Sequence, residues 1–452
     1  MVKSSRICFL SALAVAISAT EVLVPKHLPT RELLRDAYTY SLEPVWTQNY
    51  ISSNLTRDLM NLIEDITGKP PTFPLPNTAV TNTFNVSNAW DNSSAWEDAV
   101  QEAAAAYDVS GDKLKLFEVG NEIDHFIDEG WRPPTWDVAM YIQQWRNVSD
   151  QIVQSSWYGA AQHPPKFQAA VFADPPWAPD QQDEIDDFDI VNLTRAGLTE
   201  HDKIDTYVVH LYPKSTCDTA RWYGLSLDLL SNHSVLLPNV SQYVPQVAAA
   251  DKAGIPLVLG EPNSTSCSGR SGISDTFGAT LWSVDYVLLA ASIGMPKVYF
   301  HLGANAEYSS FVPSPYEHEN ERLQASIRSL YHGHYFMAHV LASEKQQQIA
   351  QIPTANTSDF SGYAIYSAGN RHHEQLDKVV LIDLQIWNST RGLSNPSTLS
   401  TTDSTYHSSG QRPVRKVSIT TCWLTGTRLG VIRLQAPGTN GKCKERDQRF
   451  WR

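Results

Sequence analysis

Positive charge is scarce in this 452-residue chain, which carries 35 lysines and arginines against 48 acidic residues and a formal net charge of −13. Binding to DNA or RNA relies on lysine and arginine side chains that displace counterions from phosphates. The charge balance therefore argues against a nucleic-acid partner. Long apolar runs are lacking too, since no segment reaches the roughly 18 uncharged apolar residues of a membrane helix. We expect no membrane anchor.

Several motifs that hold cofactors are also absent from the sequence. It contains no Gly-rich phosphate loop, no His-x-x-x-His pair and no Cys-x-x-Cys pair. These motifs bring backbone amides or metal ligands together at fixed spacing. We therefore expect neither a nucleotide, nor a metal, nor any other cofactor.

The beginning of the chain is typical of a secreted protein. Lys3 and Arg6 precede an apolar run over residues 7–17 and three small residues, so residues 1–20 are predicted to be a signal peptide. Asn-x-Ser/Thr sequons lie at ten positions, namely Asn54, Asn85, Asn92, Asn147, Asn192, Asn232, Asn239, Asn263, Asn356 and Asn388. The sequence thus predicts a secreted, extracellular glycoprotein.

Cysteine is rare, and its number suits secretion. The sequence has five cysteines, and removal of the signal peptide with Cys8 would leave an even number for disulfides. We prefer the pairs Cys217 with Cys267 and Cys422 with Cys443. The other connectivities and free thiols stay open.

Alternating short apolar segments and longer helical patterns organise the first three quarters of the chain. Strands are predicted over residues 41–46, 114–119, 167–172, 204–211, 256–260 and 297–302, with helices over 54–67, 95–107, 135–157, 240–253, 276–293 and 317–343. This alternation predicts an α/β fold, a (β/α)8 barrel over residues 21–343. Short alternating segments after residue 343 predict a β-sandwich domain over 344–452.

Two glutamates each follow a predicted strand. Glu122 ends the motif Gly120-Asn121-Glu122, and Glu261 lies 261 − 122 = 139 residues later. If the last predicted strand is the eighth, these strands are the fourth and the seventh. Barrel active sites lie at the carboxyl ends of the strands, so both side chains are expected in one pocket.

Paired carboxyls suit the hydrolysis of a glycosidic bond, with one as general acid/base and the other as nucleophile. We assign the acid/base role to Glu122 and the nucleophile role to Glu261. Two carboxyls this close resist ionising together, so we expect a raised pKa at Glu122. A helix start with an acidic first turn is the alternative reading of both motifs.

Further candidates surround this pair. The amide of Asn121 is placed to bind a sugar hydroxyl, and strand alternation puts His210 and Tyr212 on the same side, where Tyr212 could hydrogen-bond Glu261. A histidine and a tyrosine that merely belong to the core are an equally good explanation of these two.

The chain resembles the fungal branch of glycoside hydrolase family 79, the β-glucuronidases related to heparanase. The resemblance is carried by Ser41-Leu42-Glu43-Pro44, residues 59–71, residues 95–100, residues 117–124, residues 260–264, Phe300-His301-Leu302-Gly303 and residues 331–336. It implies a retaining enzyme acting on a glucuronic acid glycan, with Glu122 as acid/base and Glu261 as nucleophile. It also implies that Tyr308 or Tyr316, near the eighth strand, reads the sugar carboxylate.

Two departures from the family pattern affect the expected fold. The family has its second and third strands between residues 67 and 95, whereas here this stretch is too short for a βαβ unit, which needs roughly 30 residues or more. The resemblance also fades after Gln435-Ala436-Pro437-Gly438. We therefore expect an incomplete barrel, and an inactive carbohydrate-binding protein becomes an alternative to an enzyme.

Overall fold

The computed structural model describes most of the chain between residues 28 and 385. The described residues are 28–71, 93–175, 188–218, 222, 224–303, 306–318, 321–368 and 374–385, with the short strands Leu23–Val24, Leu75–Pro76, His407–Ser408, Ser418–Thr420 and Leu429–Arg433. The predicted signal peptide, Cys422 and Cys443 lie outside them. The predicted disulfide between Cys217 and Cys267 is confirmed.

A parallel sheet forms the scaffold of the larger part. Its seven strands are β1 (Tyr38–Leu42), β2 (Leu75–Pro76), β3 (Leu116–Glu118), β4 (Lys166–Phe172), β5 (Ile204–Val209), β6 (Leu257–Leu259) and β7 (Val298–Leu302). They hydrogen-bond in the order β1-β7-β6-β5-β4-β3-β2. All the carboxyl ends therefore lie at one edge, as the barrel prediction requires.

The short strand β2 falls in the stretch where no strand was predicted. It pairs in parallel with β3, through Leu75 with Phe117 and Pro76 with Glu118. Within the described residues the sheet thus has seven parallel strands, and β3 is the third of them. An eight-stranded barrel would need one more strand than the described residues supply. The sequence analysis found neither of two family strands between residues 67 and 95, and the two-residue β2 corrects this for one of them.

Eleven described helices accompany the strands. They are Thr47–Ile51, Asn54–Thr67, Ser93–Ser110, Val138–Gln154, Ser156–Ala160, Ile190–Arg195, Leu227–Leu230, His233–Ser241, Val244–Ala253, Phe277–Ile293 and Ser329–Leu341. Side chains at N-caps start several of them, as when Asp137 accepts from the Met140 amide and Thr276 from the Ala279 amide. No helix among the described residues is long and apolar enough to cross a bilayer.

The helix predicted over 317–343 begins later than expected. Two short strands, Tyr316–His318 and Glu321–Leu323, pair as an antiparallel hairpin, and the helix covers only Ser329–Leu341. These two segments form a hairpin instead of a helix because they pair through local backbone hydrogen bonds. The helical periodicity of the sequence does not reveal such pairing.

An antiparallel sheet of six strands forms the second part. Its order is Ser418–Thr420, Leu429–Arg433, Glu374–Asp383, Phe360–Ala368, Gln347–Gln351 and Arg31–Leu33. The last strand comes from the segment that the predicted boundary assigns to the barrel. A second sheet stacked on this one is not described, so the β-sandwich stays a prediction.

The helix Phe277–Ile293 joins the two parts. Thirteen of its residues are buried, as expected for a helix that is apolar on every side. Asp285 on this helix is fully buried, accepts from the Tyr363 hydroxyl at 2.6 Å and lies 2.8 Å from the His233 Nδ1. Tyr363 belongs to the antiparallel sheet, so this hydrogen bond fixes the sheet against the barrel.

Replacing Tyr363 by Phe should weaken this joint. The buried carboxylate of Asp285 would lose a donor without regaining water, which typically costs about 1 to 3 kcal/mol. Urea unfolding would measure it. The control is Ser358→Ala, which removes an exposed hydroxyl contact to Ser234 and should change the free energy of unfolding by less than about 0.5 kcal/mol. Equal losses in the two variants would contradict the role of the joint.

Candidate active site

Glu122 and Glu261 meet at the carboxyl edge of the parallel sheet. Glu122 follows β3 and Glu261 follows β6, and one carboxylate oxygen of each lies within 4.8 Å of the other and of a His210 ring nitrogen. The side chain of Glu122 is 32% exposed and that of Glu261 is 23% exposed. A ligand can therefore reach both carboxyls, which the sequence placed in one pocket.

Unusual backbone geometry brings the two carboxyls together. Gly120 and Glu122 both have positive φ, at 90° and 51°, so the chain turns sharply where β3 ends. Gly260 ends β6 against β5, where a Cβ atom would lie 2.3 Å from a methyl group of Val208. Only glycine permits this close approach of the two strands.

The carboxyl of Glu261 is held from several sides. The Tyr212 hydroxyl donates to its Oε1 at 3.0 Å, and the His301 Nδ1 lies 3.8 Å from the same oxygen. The His210 Nδ1 lies 4.0 Å from Oε2. These contacts fix the side chain and surround its negative charge with donors.

His210 lies close to Glu122 as well as to Glu261. The His210 Nδ1 lies 3.0 Å from Glu122 Oε1. Burial would raise the pKa of Glu122, but the His210 hydrogen bond and the charges of His210, His125 and His301 outweigh it and hold the pKa below its usual value. The raised pKa of Glu122 expected from the sequence is therefore wrong.

The imidazole of His210 holds the proton instead. Burial lowers the pKa of His210, but the charge of Glu261 together with the hydrogen bond and charge of Glu122 outweighs burial and raises this pKa to about 9. Its side chain is 1% exposed, so no solvent competes for the proton. These pKa shifts place the proton on His210, between the carboxyl groups of Glu122 and Glu261.

His301 and Glu43 extend the site, and sequence reasoning assigned neither of them a role. The His301 Nε2 lies 3.2 Å from Glu43 Oε2, and the Ser41 hydroxyl lies 3.1 Å from His301 Nδ1. Glu43 directly follows β1 and His301 lies within β7, at the edge that also carries Glu261. The sequence signal that could have identified them is their position at the ends of predicted strands, at the same edge as the predicted catalytic residue Glu261.

A second cluster adjoins Glu122. Asp124 accepts from the backbone amides of Ala173 and Asp174, both at 2.8 Å, and His125 Nε2 lies 3.2 Å from Asp174 Oδ2. The Asp174 hydrogen bond, against the opposing effect of burial, raises the pKa of His125 to about 10. This anchors the turn after β3 to the loop after β4.

Two triads of the described residues have the ligand types of a metal site, namely Glu122, His210 and Glu261, and Asp124, His125 and Asp174. In each triad the imidazole is already bonded to a carboxylate, so its positive charge partly balances the acidic groups. This arrangement fits acid/base chemistry without requiring a cation.

The remaining predicted site residues, Asn121, Tyr308 and Tyr316, have no described hydrogen bond to either glutamate. Asn121 is partly exposed next to Glu122, and the Tyr308 ring is 6.3 Å from that of Tyr212 and 6.1 Å from that of His301, between centroids. Tyr316 instead accepts a hydrogen bond from Arg328 at 2.6 Å. The structure thus brings Tyr308 to the site and gives Tyr316 no described contact with the glutamates.

Asn263 occupies a sequon next to the site. Its side chain is 0% exposed, and its amide nitrogen donates to the His301 carbonyl at 3.0 Å. A glycan on this nitrogen would have no room, so we expect this sequon to stay unmodified.

Comparison with known proteins adds to this geometry. No family model matches the chain. The chain is 30% identical to a β-glucuronidase of Neurospora crassa over 316 residues, which cover 62% of this chain and 50% of that protein. It is 26% identical to a β-glucuronidase of Aspergillus niger over 378 residues, which cover 82% of this chain and 64% of that protein. The chain therefore spans about half to two thirds of the length of these relatives.

A solved structure shares the fold. It is a 4-O-α-L-rhamnosyl-β-D-glucuronidase from Fusarium oxysporum in complex with Rha-GlcA, with a TM-score of 0.59, 22% identity and 82% of each chain covered. The predicted resemblance to fungal β-glucuronidases is confirmed by the two relatives, and the solved structure supports the barrel-type fold.

The proton on His210 can be observed directly. We expect the Cε1–H signal of His210, assigned by its loss in His210→Asn, to titrate with a pKa of about 9 in an NMR titration. Glu122→Gln removes the charge at 3.0 Å and should lower this pKa. His201, on the protein surface, serves as an internal control that should not respond to Glu122→Gln. A His210 signal that titrates near pH 6.5 in both proteins would contradict the assignment.

Proposed function

We propose that this chain is a retaining glycoside hydrolase that releases terminal glucuronic acid from a glycan. The observation that carries the proposal is the approach of the two carboxylates within 4.8 Å. Retaining enzymes hold their carboxyls about 5 to 5.5 Å apart, whereas inverting enzymes leave about 6.5 to 9.5 Å for a water molecule. The spacing here favours direct attack by a carboxylate on the sugar.

Glu261 is the proposed nucleophile. It attacks the anomeric carbon while the bond to the leaving oxygen breaks, giving a glycosyl ester. The Tyr212 hydroxyl, at 3.0 Å from Oε1, orients the carboxylate for this attack. In the second step water attacks the same anomeric carbon, the bond from this carbon to Glu261 breaks, and Glu261 leaves as a carboxylate.

Glu122 delivers the proton to the leaving oxygen, and His210 is its source. Attack consumes the negative charge of Glu261, which is one of the causes of the high pKa of His210. The His210 proton then moves to Glu122 over a distance of 3.0 Å, and from Glu122 to the leaving oxygen. In the second step Glu122 takes a proton from water and returns it to His210.

The glucuronide specificity rests on the relatives, whose names identify them as β-glucuronidases. The carboxylate of the sugar would be read near the end of β7, where Tyr308 packs by His301 and Tyr212. Asn121 would bind a sugar hydroxyl. The partner is thus a glycan that carries glucuronic acid.

Secretion is part of the proposal. It is supported by the signal-like segment over residues 1–20, by the sequons and by the disulfide between Cys217 and Cys267, which suits an oxidising compartment. Mass spectrometry of the protein from a fungal secretion host would test it, by showing an N-terminus near residue 21 and occupied sequons.

Activity on aryl glycosides tests the function. Turnover of an aryl glucuronide, but not of the matching glucoside or xyloside, is expected between about pH 3 and 7. Glu261→Ala should abolish turnover, and Glu122→Ala should lower it by about 10²- to 10⁴-fold, with partial rescue by azide or a good leaving group. Glu129→Ala, an exposed glutamate near Glu122, is the control and should keep full activity. Proton NMR should show the β anomer as the first product.

Each alternative corresponds to a different result. Preference for the glucoside or xyloside would indicate another retaining glycosidase of the same barrel type. A protein that unfolds cooperatively and binds glycans, yet releases nothing from any substrate, would be a carbohydrate-binding protein, the reading favoured by the sheet of seven strands. Inversion at the anomeric carbon would exclude the role of Glu261 as nucleophile.

A further inference from the structure

A third glutamate lies beneath the two at the mouth of the site. Glu118 is the last residue of β3, four positions before Glu122, and it is only 6% exposed. Its neighbour Phe117 packs against Phe167, on the side of the sheet that the helices cover. Strand alternation therefore turns Glu118 to the opposite side, into the barrel. No described residue forms a hydrogen bond or an ion pair with its carboxyl.

The partner of Glu118 on the neighbouring strand lacks a donor. Glu118 and Gln168 are paired in register between β3 and β4, so their side chains point the same way. The Gln168 Nε2 donates to the Thr206 hydroxyl of β5 at 3.0 Å, whereas its Oε1 is buried and accepts no hydrogen bond. A buried acceptor without a donor is costly, and native proteins rarely tolerate one.

A carboxylic acid can satisfy this oxygen, but a carboxylate cannot. An ionised glutamate offers acceptors alone, while a protonated one adds an O–H donor. Gln168 is oriented by its bond to Thr206, which leaves Oε1 as the end of its amide without a partner. The register places the Glu118 carboxyl on the adjacent strand.

The charges around Glu118 also favour its neutral form. Burial is the main cause that raises the pKa of Glu118, to about 7, and the negative charges of Glu261 and Glu122 add to it, against the opposing charges of His210 and His301. From the helix Val138–Gln154, Tyr141 also faces it, as a neutral phenol. Two acidic groups thus lie close to a third that has no cation of its own.

We propose that Glu118 is a positioning residue that holds a proton, donates it to Gln168 Oε1, and by losing it sets the alkaline limit of the catalytic site. Ionisation would release this proton to solvent and leave a third negative charge near Glu122 and Glu261. That charge would stabilise the proton on His210 and keep it from Glu122. The proposed reaction would then lack its acid.

The activity test of this proposal rests on the proposed function. With a titration midpoint near pH 7, kcat/KM of the wild type should fall about tenfold between pH 6 and pH 8. Glu118→Gln is neutral at every pH and keeps an N–H donor for Gln168. It should retain most of the activity at pH 6 and lose this decline, so that the alkaline limb moves upward by at least one pH unit.

A second variant separates the hydrogen bond from the charge. Gln168→Leu keeps the volume and removes the acceptor, so the protonated form of Glu118 loses its partner. The alkaline midpoint should move to lower pH in this variant, opposite to the effect of Glu118→Gln. A merely structural role for either residue would lower activity at all pH values without moving the midpoint.

Proton linkage tests the same claim without any activity. The folded state keeps a proton on Glu118 that the unfolded state releases above the ordinary pKa of 4.5, so this group's stabilisation is lost as pH rises from 4.5 to about 7. The slope of the logarithm of the unfolding constant against pH should therefore be lower in Glu118→Gln by about one over this window.

The two readouts distinguish the failures. A slope that falls by one in a protein without turnover supports the proton on Glu118 and refutes the proposed function alone. Unchanged slopes in Glu118→Gln overturn the proposal whatever the enzyme does. An altered slope with an unmoved alkaline limb also overturns it, because the proton would then exist without controlling the reaction.

Discussion

The interaction on which the site depends is the contact of one buried imidazole with two carboxylates. His210 lies 3.0 Å from Glu122 and 4.0 Å from Glu261. Without a positive charge at this point, two carboxylates so close would repel each other and one would take up a proton. With it, the pKa of Glu122 is lowered and the proton is held by His210, next to the Glu122 carboxyl. The high pKa of His210 and the low pKa of Glu122 are two expressions of the same contact.

The parallel sheet makes this contact possible. His210 follows β5, Glu122 follows β3 and Glu261 follows β6, and parallel pairing brings the ends of these strands to one edge. Gly260 allows β6 to lie close to β5, and the disulfide between Cys217 and Cys267 links the loops that follow these strands. The positions of the two glutamates and of His210 are therefore set by backbone packing, and the side-chain hydrogen bonds refine them.

Sequence patterns could predict the parts of this site that depend on strand ends. Glu122, Glu261 and the side shared by His210 and Tyr212 followed from local alternation and from the rule for parallel strands. The direction of the Glu122 pKa shift could not be predicted in this way. It depends on three imidazoles contributed by different elements, and only His210 was among the predicted site residues. His301 and Glu43 were missed for the same reason, since their partnership spans 258 residues.

In the fold too, features set by local sequence were predicted, whereas features set by strand pairing were not. Long apolar segments such as Phe277–Ile293 were predicted to within a residue, because a mostly apolar run of helical length marks them in the sequence. The hairpin of Tyr316–His318 with Glu321–Leu323 was not, since backbone pairing over a few residues leaves little trace in periodicity. Likewise Arg31–Leu33 joins the antiparallel sheet through pairing with Gln347–Gln351, more than 300 residues away in the chain.

The short strand β2 adjoins the site only through its pairing with β3, next to Glu118. The residues that touch the two glutamates lie in β7 and in the loops that follow β3 and β5, so their geometry does not require a long β2. The neighbour of Glu118 on that side is Pro76, which has no N–H to donate and no charge. In the proposed role of Glu118 its hydrogen bond is made on the β4 side, where Gln168 Oε1 has no donor among the described residues, and only the protonated carboxyl can make that bond.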